Sequence, residues 1–270
     1  MKVKAFITIW LAVMVSACTW LVVEGQNIPD AESELTVFAA ASLAEAFSQT
    51  SDSFQVEHPD IKITLNFAGS QQLAQQLAQG APADVFASAD MTQMQAAIQS
   101  DRVIPEYVRV FAHNRLVVIY PQDNPGNLDT LQDLANPGVK LILAAKAVPV
   151  GQYSQEFLHK ASFDSDFGID FENKVLENVV SYEESVRAVL SKTILGEADA
   201  GIVYKSDISA KNTLQLGQLE IPEQLNVLAS YYIAPVSDSH QKNSSNLFID
   251  YVLSTTGQTI LSDFGLIPVQ

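Results

Sequence analysis

The chain has 270 residues, with 31 acidic against 15 basic side chains, four histidines and one cysteine. A formal net charge of −16 argues against a nucleic-acid partner, because affinity for a phosphate backbone comes largely from Lys and Arg displacing counterions. With 47% hydrophobic and 17% charged residues the chain is globular rather than disordered, and one cysteine excludes both an internal disulfide and a cysteine-based structural metal site.

At the N-terminus, Lys2 and Lys4 precede an apolar run from Ala5 to Val15, followed by Val15-Ser16-Ala17-Cys18. These are the charged, apolar and small-residue regions of an export signal in order, so residues 1–17 read as a signal peptide. Val-Ser-Ala-Cys resembles a bacterial lipobox, in which Cys18 is lipidated and tethers the mature chain to the outer side of a membrane. Cleavage near Gly25, or retention of the segment with Thr19–Val23 extending it towards spanning length, are the competing readings. Loss of residues 1–17 removes two lysines, leaving 13 basic against 31 acidic residues and a charge of −18. Residues 18–34 read as a tether, polar after its apolar start and without periodicity.

From Leu35 onward, short runs rich in β-branched and aromatic residues alternate with helical patterns, the mark of βα units around mostly parallel sheets. Strands are predicted at 35–40, 61–67, 84–88, 115–120, 140–145, 175–180, 200–204 and 227–235. Ile61, Ile63, Leu65 and Phe67 alternate with polar residues, which suits an edge strand. Leu43, Phe47, Thr50 and Phe54 form one apolar helical stripe after Ser42. A second helix follows Ser70 and stops at Gly80, and a third is capped by Asp90 and runs to about Gln99. Later helices are predicted at 153–161, 183–195, 245–254 and 256–264, with Ser181 and Glu184 spaced as a capping box.

The ~235 residues after the tether exceed the commonest domain size of ~100–150, which predicts two lobes. No Pro/Gly/Ser-rich spacer separates them, so the chain must cross between lobes through ordinary strands or short turns.

Nucleophile and phosphate motifs are absent: there is no G-x-S-x-G, no G-x-x-x-x-G-K-S/T, no G-x-G-x-x-G and no H-E-x-x-H. His58, His113, His159 and His240 share no ligand spacing. The acidic stretch Asp164–Glu172 lacks the glycine and the oxygen ligand that a calcium loop needs. Tyr231 and Tyr232, adjacent on a strand, point to opposite faces and read as core packing. What stands out is Ser42 after Ala39-Ala40-Ala41, and Ser70 after Ala68-Gly69, each where a strand hands over to a helix. Helix N-termini carry unpaired N–H groups and partial positive charge, so two such ends with Ser hydroxyls make an anion site without a cation. Ser is also a favoured N-cap, and simple capping is the competing role for each.

Ala39-Ala40-Ala41-Ser42-Leu43, Gly80-Ala81-Pro82-Ala83-Asp84-Val85-Phe86 with Ala87-Ser88-Ala89-Asp90, Val148-Pro149-Val150-Gly151-Gln152-Tyr153 and Gly201-Ile202-Val203-Tyr204-Lys205-Ser206-Asp207 together resemble the periplasmic molybdate-binding proteins of molybdate ABC importers, over about residues 35–270. The resemblance implies an α/β, two-lobed type II periplasmic binding protein fold. Residues 35–110 plus 232–270 would form lobe 1 and 111–231 lobe 2, with the ligand in the cleft. It places the oxyanion contacts on Ser42 and Ser70, on the backbone N–H of Val150 and Val186, and on the Tyr204 hydroxyl. Family members commonly carry Ala where Val150 stands and often a hydroxyl residue where Gln71 stands. The implied protein is an extracytoplasmic monomer and no enzyme. It delivers molybdate or tungstate to a membrane permease, with no cofactor and no direct ligand to a metal cation, the metal being bound as its oxyanion. A site for sulfate or a carboxylate is the alternative; a carboxylate would call for a paired Arg, with Arg109, Arg115 and Arg187 as candidates.

Overall fold

The computed structural model describes residues 33–208 and 212–269. The signal peptide, Cys18 and the tether up to residue 32 lie outside the described residues. Ser33 and Glu34, expected as the end of the tether, already belong to the first strand.

The first half of the chain runs β1 (Ser33–Ala40), α1 (Ala44–Glu57), β2 (Ile61–Ala68), α2 (Ser70–Ala78), β3 (Val85–Ser88), α3 (Met91–Gln99), β4 (Arg109–Asn114) and β5 (Leu116–Pro121). It continues through β6 (Leu141–Ala144), α4 (Pro149–Ser162), α5 (Phe171–Glu177), β7 (Val179–Glu183), α6 (Val186–Ile194), β8 (Ala200–Tyr204) and β9 (Leu216–Glu220). The chain then closes with β10 (Ala229–Pro235), α7 (Lys242–Leu253), α8 (Thr255–Asp263) and β11 (Ile267–Pro268).

Two sheets result. One has six strands in the order β11-β4-β10-β3-β1-β2, and the other has five in the order β7-β6-β8-β5-β9. Strands β1, β2 and β3 are mutually parallel, as are β7, β6 and β8, while β4, β5, β9, β10 and β11 enter antiparallel. The half-polar strand β2 lies at an edge, as its alternation predicts.

Strand β4 stays in the first sheet as far as Asn114, and β10 rejoins that sheet at Ala229. The expected lobe boundaries at 110/111 and 231/232 therefore fall inside two paired strands. The reason is continuous backbone pairing between β4 and β10, interrupted only by a bulge at Phe111, since Tyr231 faces Ala112 and Tyr232 faces Val110.

Several elements differ from the sequence expectations. Residues 171–177 form a helix where a strand over 175–180 was expected, because Phe171 and Val175, four apart, bury on one helical face. Strand β7 follows, and its last residue Glu183 delays α6 until Val186. The Ser181/Glu184 capping box does not form. Ser181 hydrogen-bonds the Glu183 carboxylate at 2.6 Å within the strand, and Ser185 caps α6 by accepting from Ala188 N–H at 3.3 Å. Helix α4 begins at Pro149, four residues before the expected start, since Pro suits the first helical position. Strands β4, β9 and β11 were not expected at all.

The core of the first sheet is aromatic. Phe47 of α1 meets Phe111 of β4 at 5.6 Å and Phe248 of α7 at 6.0 Å, and Phe54 meets Phe248 at 5.5 Å, so the C-terminal helices are tied to the N-terminal βα unit. Phe47→Ala is expected to cost about 3–5 kcal/mol, measured as a lower urea midpoint.

Candidate functional site

Parallel strands release their chains at their carboxyl ends, and in open α/β sheets the crevice outside those ends receives ligands. Here β1, β2 and β3 end at Ala40, Ala68 and Ser88, while β6, β7 and β8 end at Ala144, Glu183 and Tyr204. One cavity is lined by residues just beyond these ends: Ala41, Ser42, Gly69, Ser70 and Ala89 from the first sheet's side, and Val150, Val186 and Tyr204 from the second's. All five residues singled out from the sequence line it. It is small, with about 10 Å³ open to the centre of a water-sized sphere, on the order of one such sphere.

Neither serine caps a helix. Ser42 lies in a short 3-10 turn over Ala41–Leu43, capped by Ala40 without a side-chain bond, and Ser70 is the first residue of α2 with Gly69 before it. The hydroxyls are engaged elsewhere. Ser70 Oγ accepts from Ala89 N–H at 3.1 Å, and Ser42 Oγ lies 2.8 Å from the Tyr231 hydroxyl. The capping alternative is thereby removed. Both side chains are buried, and the Ser70 proton remains to be donated.

First-turn N–H groups have no acceptor inside their own helix. Val150 is the second residue of α4, where Pro149 has no N–H, and Val186 opens α6. Gly151 lets α4 dock on β6, for a Cβ there would stand 2.2 Å from Ala145 O and 2.5 Å from Ala144 O. Tyr204 ends β8 with its ring 5.7 Å from that of Tyr231 and 6.4 Å from that of Tyr153. Its buried hydroxyl has no hydrogen-bond partner among the described residues. Burial raises its pKa well above the usual phenol value, so it stays a protonated donor.

The cavity wall holds no carboxylate and no cation. Arg187 stands behind it: Nε donates to Ala41 O at 3.1 Å, and Nη1 donates to Glu45 Oε1 at 2.7 Å. Arg115 pairs with Glu223, and Arg109 lies exposed on β4. The three arginines considered for a carboxylate ligand are thus not among the lining residues.

The two sides meet around the cavity. Gln71 Nε2 donates to Glu184 O at 2.8 Å, Gln72 Nε2 to Glu184 Oε2 at 2.9 Å, and Gln93 Nε2 to Ala147 O at 3.3 Å. Gln71 therefore bridges the cleft. Gly69 makes the approach possible, because a Cβ would fall 2.5 Å from Glu184 O.

Sequence reasoning missed Ala89, Asn114 and Tyr231 as parts of this region. The quoted motif Ala87-Ser88-Ala89-Asp90 contained Ala89, and Asp90 is the expected cap of α3, accepting from Gln93 N–H at 2.8 Å. Nothing local marked Asn114 or Tyr231.

Behind Tyr204, Asp207 is buried, accepts from Tyr204 N–H at 3.0 Å and has Arg187 Nε at 3.8 Å. Burial outweighs the Arg187 charge and pushes its pKa from 3.8 up to about 7. The folded state then holds a proton that the unfolded chain has already lost, so rising pH favours unfolding across the window from about 4 to about 7. Asp207→Asn is expected to flatten the stability profile over that window, checked by urea midpoints at pH 5 and pH 8.

A family model described as bacterial extracellular solute-binding protein matches residues 35–267. A molybdate-binding protein ModA from Mycobacterium tuberculosis (strain ATCC 25618 / H37Rv) is 35% identical over 231 residues, 86% of this chain and 83% of that protein. The solved structure of the Azotobacter vinelandii periplasmic molybdate-binding protein gives a TM-score of 0.75 at 20% identity, covering 87% of this chain and 100% of that chain. The sulfate-binding protein SubI from Mycobacterium tuberculosis H37Rv gives 0.79 at 17% identity, covering 88% of each. Both likenesses are of fold alone.

Proposed function

We propose that this chain, which belongs to the bacterial extracellular solute-binding proteins, captures molybdate or tungstate outside the membrane and delivers it to an ABC permease. Its fold is the two-lobed α/β type II periplasmic binding fold. The protein is a carrier, not a catalyst, and acts as a monomer with the lobes divided by the sheets, the chain crossing between β4 and β5 and between β9 and β10.

The observation that carries the reading is a wall of neutral hydrogen-bond donors. Ser42 and Ser70 hydroxyls, the Tyr204 phenol and the N–H groups of Val150 and Val186 surround one cavity that has no acceptor carboxylate and no cation on its lining. Molybdate and tungstate are proton-free dianions near neutral pH and can only accept hydrogen bonds. Hydrogen phosphate carries a proton and needs an acceptor. A carboxylate ligand would leave its charge without the guanidinium it usually takes. Sulfate is also proton-free, and its smaller size is what separates it from molybdate. The molybdate-binding name of the 35%-identical relative supports the same choice.

Calorimetric titration with molybdate, tungstate, sulfate and phosphate is expected to give micromolar or tighter binding of the first two; no binding of either overturns the reading. Ser42→Ala or Ser70→Ala is expected to weaken molybdate binding by about 1.5–3 kcal/mol, the range for a hydrogen bond to a charged group.

The Val-Ser-Ala-Cys sequence supports a lipid anchor at Cys18, holding the carrier near its permease. The mass of the mature chain is expected to equal residues 18–270 plus lipid, whereas a mass starting near Gly25 excludes the anchor.

A further inference from the structure

Three hydroxyls face the proposed oxyanion, and a hydroxyl can donate or accept. A wall of free hydroxyls would therefore welcome protonated anions as readily as proton-free ones. Selectivity requires that something fix the direction of their hydrogens.

For Ser70 the fixing group is the backbone of Ala89. Ala89 N–H donates to its oxygen, which leaves the hydroxyl proton for the ligand. For Ser42 the fixing group lies deeper. Asn114, fully buried at the end of β4, accepts Arg115 N–H on Oδ1 at 2.9 Å, so its amide is oriented with Nδ2 towards the interior. From there Nδ2 donates to Ser206 Oγ at 2.7 Å and to the Tyr231 hydroxyl at 3.3 Å. An amide nitrogen can only donate, so the phenol oxygen is the acceptor in that bond. Tyr231 is fully buried, and among the described residues the other hydrogen-bond partner of its hydroxyl is Ser42 Oγ at 2.8 Å. Leaving the phenol proton unpaired would carry the penalty of a buried unsatisfied donor. The phenol donates to Ser42, and Ser42 donates to the cavity.

We infer that Tyr231, oriented by Asn114, is a positioning residue that turns the Ser42 hydroxyl proton into the cavity and so disfavours protonated oxyanions there. The relay runs from the Arg115 backbone N–H through Asn114 and Tyr231 to Ser42, and it starts where the chain passes from the first sheet to the second. Burial raises the Tyr231 pKa well above the usual phenol value, against the lowering effect of its bonds to Ser42 and Asn114, so the relay keeps its proton. The bulge at Phe111 sets the local register of Tyr231 on β4, and the Phe111 ring stands edge-on to the Tyr231 ring at 6.1 Å. With Ser42 and Ser70 fixed, Tyr204 is the one hydroxyl of the three left able to take either role. The inference rests on the oxyanion reading above and adds to it a residue outside the cavity lining.

The test compares molybdate with inorganic phosphate at pH 7 by calorimetry, in the wild-type chain and in Tyr231→Phe. Removing the phenol hydroxyl leaves the Ser42 hydroxyl free to turn its proton away and to accept that of hydrogen phosphate. The ratio of phosphate to molybdate affinity is expected to rise on the order of tenfold, one charged hydrogen bond's worth. Asn114→Ala, which keeps the phenol but removes the group that dictates its direction, is expected to move the ratio the same way and decides the matter should Tyr231→Phe not fold. An unchanged ratio in a folded variant overturns the inference, whereas a wild-type chain that binds no molybdate overturns the oxyanion reading instead. A loss of affinity for both anions by the same factor assigns Tyr231 to packing and also overturns it.

Discussion

The first turn of a helix has N–H groups that its own backbone cannot satisfy, and the architecture of this protein follows from bringing several such turns to one point. Parallel strands deliver their chains at the same end of each sheet, so the helices or helical turns that follow β1, β2, β6 and β7 all begin on the crevice side. Two sheets set with those ends facing one another concentrate oriented, uncharged donors around one small cavity. A chain of charge −16 can hold an anion by this means, because the local field of dipoles and hydroxyls replaces the cation it lacks. The acidic balance belongs to the solvated exterior.

Close approach is the second requirement, and it explains the small residues. Ala40 and Ala41 before Ser42, Gly69 before Ser70 and Ala89 beyond β3 leave the backbone accessible, and Gly69 also lets Glu184 O come within range of Gln71. Charges are kept out of the lining and used around it. Arg187, one residue after Val186, reaches across to Glu45 and to the carbonyl of Ala41, one residue before Ser42. The polar contacts that join the two sides thus sit beside the donors they align. Asp207 is the cost of this arrangement, a buried carboxyl whose ionisation burial opposes.

Much of this was legible in the chain. Alternation at Ile61–Phe67, the stripe Leu43–Phe54 and the Asp90 cap are local signals, encoded within one or two turns of the residues they describe. Ser42 and Ser70 stood out because each follows small residues at a strand-to-helix handover. Other features could not be read in this way. Val179–Glu183 and Phe171–Glu177 each offer a short apolar pattern compatible with either state, and only the burial of Phe171 with Val175 decides the helix. Strand β4 lacks a clear period, and its identity comes from pairing with β10, more than a hundred residues away.

The amino-acid sequence by itself determined the alternating βα order and marked Ser42 and Ser70, because these depend on short-range periodicity and turn chemistry, while Val150, Val186 and Tyr204 came from the resemblance that its compact motifs carry. Tertiary structure decided which groups the hydroxyls meet. Tyr231 and Ser42 are 189 residues apart and Asn114 and Tyr231 are 117 apart. Their bonds exist only once β4 and β10 are paired, and no local pattern records a partner that folding alone brings within reach.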